Sequence, residues 1–363
     1  MRAIRWIIGL GVLAVFAAAA AFALVVIASG RSPGDTVRSL IAQIALAGRA
    51  DELETPFGSD DRPRRFEVAF GDTPTSIGQG LQALGVIGDA ELFVDYARAE
   101  GLDTQFQAGI YFVRQTHPLT QIAGQLTDAR GSHIPFRMLA GWRLEEVAQA
   151  IDNTPAFNFA GGDFLAAASA PSAELAARFG LPPGAGLEGF LGEGTYQFPP
   201  DVTVAEVRDA LAEGFLSALD ALILADLGAQ GFSLYEAVTL ASIVQREAVQ
   251  QSEMPLIAGV YRNRLDIGMK LDADPTVQYA LGNSRGSWWP RITAADYNAV
   301  VSSYNTYLIG GLPPGPINSP GLLALRAVVY PQASEYYYFR ADCRDDGFHD
   351  FAPTYEEHLA NGC

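Results

Sequence analysis

The stretch FSLYEAVTLASIVQREAVQQSE, Phe232 to Glu253, decides how this sequence is read. Ser233 followed three residues later by Glu236 is a capping box, which predicts a helix starting at Leu234. Leu240, Ile243, Val244 and Glu247 recur at spacings of three and four, so they share one face. Arg246 and Gln245 are turned roughly 100° and 200° from Glu247. A carboxyl on a partly apolar face loses hydration, which raises its pKa and keeps a proton on it near neutrality. An acid that protonates a glycosidic oxygen needs that state. The plain alternative is a surface glutamate that completes the helix and pairs with a neighbour such as Arg246. Against it, the dipole at a helix C-terminus opposes a carboxylate, so Glu247 is poorly placed as a stability device.

The chain has 363 residues, 49% of them apolar, enough for two folded domains with a core each. Its net charge of −17 argues against the basic stripe that nucleic-acid binding needs, and no nucleic acid is expected as a partner. Residues 6–30 contain no charged side chain, while Arg2 and Arg5 precede them and Arg31 follows. As a helix they would extend roughly 37 Å, enough to cross a bilayer with some tilt. A cleaved signal peptide is the competing reading, although its apolar region is normally only about 7–15 residues long. The anchor reading makes residues 1–5 cytoplasmic, gives the chain a lipid-bilayer partner through its N-terminal helix, and exports the remainder.

Cys343 and Cys363 are the only cysteines, and no Cys/His cluster with metal-ligand spacing occurs, so neither a metal nor another cofactor is expected. In an oxidising compartment the pair would close the C-terminal loop as a disulfide; in a reducing one they are two thiols.

Residues 31–64 mix Gly, Pro, Asp and Arg around a short helical pattern near Thr36–Leu46 and read as a stalk. Residues 65–131 form a compact mixed unit: a strand-like start, helical spacing through Ile77, Leu81 and Leu84, a second helical piece, a strand in FQAGIYFVRQ, and a helix in LTQIAGQLTDARG. This pattern resembles a LysM-like module. Residues 132–363 form a larger α+β domain, with a strand and helix in HIPFRMLAGWRLEEVAQAI and helical segments around Asp163–Phe179 and Val204–Leu227. Turn-rich GLPPGPINSPG, a helix near Leu322–Val329 and the aromatic strand EYYYFRA follow the opening stretch.

LEGFLGEGTYQFP, TLASIVQREA, GVYRNRLDIGMKLDADPTVQYALG, YNTYLIGGLPPGPINSPG and YYYFRAD with GFHDF occur in that order. Together they resemble the endolytic murein transglycosylase family, the MltG or YceG-like proteins of bacteria, from about residue 65 to 358. The resemblance implies a two-part α+β ectodomain on a single-pass anchor in the bacterial inner membrane. It implies non-hydrolytic cleavage of peptidoglycan glycan strands between N-acetylmuramic acid and N-acetylglucosamine, leaving 1,6-anhydro ends. Coupling to peptidoglycan synthases is implied by the resemblance alone. The family motif Ala-Ser-Ile-Ile-Glu-Lys-Glu places its catalytic second glutamate at Glu247. Its first glutamate is Gln245 here, and the Pro-Asp that precedes Thr-Tyr in the family is Glu193-Gly194.

One carboxyl suffices for such a reaction, whereas a hydrolase needs a second at a set distance. Asp272, Asp274, Glu253 and Glu188 are the candidates, Asp274-Pro275 reading equally as a helix start. By the family motif Glu188 and Tyr196 line the sugar cleft, unless they serve the turn they sit in. Asn305, Tyr304 and Tyr307 would offer amide and phenol groups to N-acetyl sugars, or else form a packed, hydrogen-bonded loop. Gly311–Gly321 reads as turns along the cleft edge, and His349 as structural.

Overall fold

The computed structural model describes residues 16–17, 19–28, 30, 32–129, 133–219, 225–228 and 230–362. The chain divides into two compact units, Met1–His133 and Ile134–Cys363. Much of the 6–30 run lies outside the described residues; its residues 16–17 and 19–28 are helical. Among the described residues no helix is long and apolar enough to cross a membrane.

In the first unit, α1 (Pro33–Leu46) starts at a Ser32 cap, and α2 (Ala50–Glu54) follows it. Strand β1 (Arg64–Val68) pairs antiparallel with β2 (Gly109–Val113), with Phe66 opposite Tyr111. Between the strands lie α3 (Pro74–Ala83) and α4 (Ala90–Glu100), and α5 (Leu119–Gln125) follows β2. Ile77, Leu81, Phe93, Tyr111 and Ile122 fill the core between these elements. Helix α5 stops short of the expected LTQIAGQLTDARG, where the Leu126 carbonyl accepts instead from the Gln107 N–H at 2.9 Å. Gly131 lies outside the described residues.

The second unit is α+β, with two more antiparallel pairs. Strand β3 (Ile134–Met138) is separated from its partner β4 (Gly194–Phe198) by α6 (Leu144–Asp152), α7 (Gly161–Ser169) and α8 (Ala173–Phe179). The single helical segment expected over 163–179 is broken at Pro171, which supplies no N–H, and Ser172 then caps α8 by accepting from Leu175 N at 3.2 Å. Helices α9 (Val204–Ala218), α10 (Leu234–Glu247), α11 (Met254–Asp266), α12 (Asp274–Leu281), α13 (Asp296–Ala299) and α14 (Leu322–Val329) follow. The hairpin β5 (Tyr338–Ala341) and β6 (His349–Ala352) and a last helix α15 (Tyr355–Ala360) complete the unit.

Helix α10 begins as its capping box dictates, with Glu236 N donating to Ser233 Oγ at 3.2 Å and Ser233 N to Glu236 Oε2 at 2.9 Å. It is buried continuously from Ala237 to Val244, on every side rather than along one stripe. It packs against α11, α12 and α14. The loop expected to edge a cleft covers another side: residues 315–321 are buried, with Ile317 N donating to Ser242 Oγ at 3.0 Å and Asn318 Nδ2 to the Ser242 carbonyl at 2.7 Å. Gln245 joins this seam by accepting from Gly321 N at 2.9 Å. A glutamate at 245 would offer the same acceptor, so the seam does not require the family's carboxylate.

Candidate active site

Glu247 is the last residue of α10, and its carboxyl emerges where the helix leaves the core. It lines a cavity of about 320 Å³ with residues that are remote in sequence. Tyr261 and Arg264 come from α11, Asp272 from the approach to α12 and Asp274 from its first residue, Tyr297 from α13, Tyr307 from the loop after it, and Phe339, Arg340 and His349 from the β5–β6 hairpin. Glu247 is partly exposed because it opens on this space.

Burial pushes the Glu247 carboxyl up to about 7. The Tyr261 hydroxyl, donating to Oε1 at 2.7 Å, draws it back down, and Asp274 pushes it up further. Arg264 and Arg246 pull it down more weakly. Arg246 stands over the Trp289 ring at 4.1 Å, so it is engaged beside the glutamate and does not ion-pair with it. Burial and the Glu247 charge hold the Tyr261 phenol well above its ordinary pKa, so it stays protonated.

The far wall is built on hydrogen bonds. Tyr307 donates to Asp274 Oδ1 at 2.6 Å and stacks on Tyr297 with centroids 4.0 Å apart. Arg264 is buried and used structurally, its Nε donating to the Tyr337 carbonyl at 2.6 Å and its guanidinium NH1 to Leu271 O at 2.7 Å. It thereby pins the segment in which Asp272 takes a left-handed φ of 47°. Glu253 holds His349 twice, through Nδ1 at 2.9 Å and the backbone N–H at 3.1 Å.

Of the residues singled out in the sequence, Glu247 and Tyr307 share this cavity, and Asp272 and Asp274 are the carboxylates beside them. Asn305 does not face it. It is fully buried, its amide donates to the Tyr297 and Val300 carbonyls at 2.9 and 2.8 Å, and its Oδ1 accepts from Tyr307 N at 3.0 Å. With its amide so occupied, Asn305 shapes the loop that carries Tyr304 and Tyr307 and has no donor left for a sugar.

Glu188 is elsewhere in the unit. Its two oxygens accept from Leu144 N at 3.3 Å each, and Oε2 also accepts from Tyr279 at 3.3 Å. Burial, then Glu145, push its carboxyl up to about 8. Tyr304 packs on Tyr279 at 4.8 Å in this second cluster, where Arg143 lies over the Tyr279 ring at 4.1 Å. Tyr196 is not in the cavity either: it donates to the Gly192 carbonyl at 2.7 Å and stacks on Phe198, which fits the turn and strand it belongs to. The Cys343–Cys363 pairing involves Cys363, which lies outside the described residues.

Tyr261, Arg264, Tyr297, Arg340 and a cavity-facing His349 were not legible as site residues. Tyr261 did carry a signal: it falls within GVYRNRL, on the next helix after the one that ends in Glu247. Among the described residues no three His, Cys, Asp or Glu side chains converge as a metal site.

Residues 66–362 match the YceG-like family. A Bacillus subtilis protein named endolytic murein transglycosylase is 28% identical over 310 residues, covering 81% of this chain and 82% of the relative. A Streptococcus pneumoniae protein of the same name is 26% identical over 325 residues, covering 81% of this chain but only 57% of that longer relative. The crystal structure of a YceG-like protein from Listeria monocytogenes aligns with a TM-score of 0.56 at 28% identity, covering 83% of this chain and 99% of that one.

Proposed function

Since the chain belongs to the YceG-like family, we propose that it is an endolytic peptidoglycan lytic transglycosylase with Glu247 as its one catalytic carboxyl. It cuts the bond between N-acetylmuramic acid and N-acetylglucosamine and leaves a 1,6-anhydro end. The observation that carries this reading is a carboxyl raised to about 7 and opening on a polar cavity.

Near neutrality Glu247 holds a proton and gives it to the glycosidic oxygen as the C1–O bond breaks. The resulting carboxylate takes the proton from the C6 hydroxyl of the same muramyl residue while that oxygen closes on C1. Proton and charge balance within one cycle, and Glu247 returns to its acid form without a water-activating partner. Asp274 raises the Glu247 pKa and orients Tyr307, which presents its ring along the cavity wall.

Asp274 sharing the cavity also favours a second reading, a hydrolase in which it activates water. Its engagement with Tyr307 argues for the first. Digestion of purified sacculi with the detergent-solubilised chain separates the two, because 1,6-anhydro ends are one water lighter than reducing ends. Reducing ends as the main product would overturn the transglycosylase reading.

The finer organisation belongs to the same proposal. Residues 6–30 serve as a single-pass inner-membrane anchor that leaves residues 1–5 in the cytoplasm and exports the catalytic unit; their uncharged run between arginines supports this. Residues 65–131 act as a LysM-like module on the glycan strand, which the strand–helix–helix–strand order from β1 to β2 supports. Cutting beside peptidoglycan synthases would terminate nascent strands.

A further inference from the structure

The two oxygens of Glu247 are not equivalent. Oε1 receives the Tyr261 hydroxyl at 2.7 Å. Oε2 has no hydrogen-bond partner among the described residues, yet it is not one of the buried oxygens left without one, so it is the atom that opens on the cavity. Tyr261 has little freedom to change this. Its residue is 1% exposed, and its ring meets Phe339 edge to face at 5.7 Å and 87°. Oε1 is the one acceptor that its hydroxyl finds among the described residues. A protonated phenol with a single acceptor must donate to it.

We propose that Tyr261 is a positioning residue that selects which oxygen of Glu247 exchanges the proton with substrate. Oε1 stays an acceptor throughout the cycle. When Glu247 is neutral its proton therefore sits on Oε2, facing the glycosidic oxygen, and Oε2 later recovers the proton of the C6 hydroxyl. Tyr261 also supplies the hydrogen bond that stabilises the carboxylate formed between these two transfers. This inference rests on the reading of Glu247 as the acid and base of the reaction.

Other groups face Glu247 from the elements around it: Arg246 on α10, Arg264 on α11, Asp272 just before α12 and Asp274 on it, Tyr297 on α13, Tyr307 from its loop, and Arg340 and His349 from the hairpin. All remain in a Tyr261→Phe variant, so a change in Glu247 titration there belongs to the lost hydroxyl. In the full chain the Glu247 carboxyl is titrated by infrared difference spectroscopy against Glu247→Gln. Tyr261→Phe is expected to raise the midpoint, lower the plateau rate by about tenfold or more, and move the alkaline limb of the pH–rate profile upward. A pure packing defect would lower the rate without moving the midpoint. If Tyr261→Phe fails to fold, 3-fluorotyrosine at 261 keeps the shape with a stronger donor, and the midpoint is expected to fall. An unmoved midpoint in whichever folded protein is measured overturns the proposal. Loss of anhydro products from the wild type would instead overturn the transglycosylase reading, since the titration is read without turnover.

Discussion

Two carboxyls of the second unit, Glu247 and Glu188, are pushed far up in pKa for the same first cause, burial, and reach about 7 and about 8. Their surroundings differ in kind. Glu188 accepts a backbone N–H at the start of α6 and the Tyr279 hydroxyl, so both of its oxygens are engaged by the protein. Glu247 is held by one side chain on one oxygen and opens on a cavity with the other. A perturbed pKa therefore marks both, and an unbonded oxygen opening on a cavity separates Glu247 from Glu188.

The comparison can be broken in several ways. The largest effect should come from pH. If Glu247 must be protonated, kcat/KM falls about tenfold for each unit above about 7. A profile that stays flat through this range would remove Glu247 as the acid. Next is Asn305, which shapes the loop joining Tyr304 of the Glu188 cluster to Tyr307 of the cavity. Asn305→Ala leaves the Tyr297 and Val300 carbonyls without their donor and should cost about 1–3 kcal/mol in thermal or urea unfolding. A neutral outcome would show that the loop stands without it. A further effect should be at Glu188. Its carboxyl is raised from 4.5 to about 8, so between those values the unfolded chain releases a proton that the folded chain keeps. Stability contributed by the neutral acid is full below 4.5 and is lost as pH rises through about 8. Glu188→Gln removes that loss, and its Tm should decline less than that of the wild type over this window.

Local features were legible in the sequence where local chemistry decides them. Ser233 and Glu236 fixed the start of α10, and the spacing from Leu240 to Glu247 showed a carboxyl in apolar company. The same spacing suggested one buried face, whereas the loop at 315–321 covers a further side through Ser242 and Gln245. No pattern within α10 encodes a partner roughly 75 residues away. Asn305 read equally as a sugar-binding amide or as part of a packed loop; the Tyr297 and Val300 carbonyls of its own loop consume its amide, and loop curvature is not readable from residue types. Tyr261 and His349 reach Glu247's cavity only through the packing of α11 and of the β5–β6 hairpin.

The most direct test is the rate at which 1,6-anhydro ends appear from sacculi with the wild-type, Glu188→Gln and Glu247→Gln chains side by side. Glu247→Gln should fold and lose on the order of 10³-fold or more of the activity, while Glu188→Gln stays within about threefold of wild type. Activity retained in Glu247→Gln, or lost in a folded Glu188→Gln, would contradict the assignment of the catalytic carboxyl.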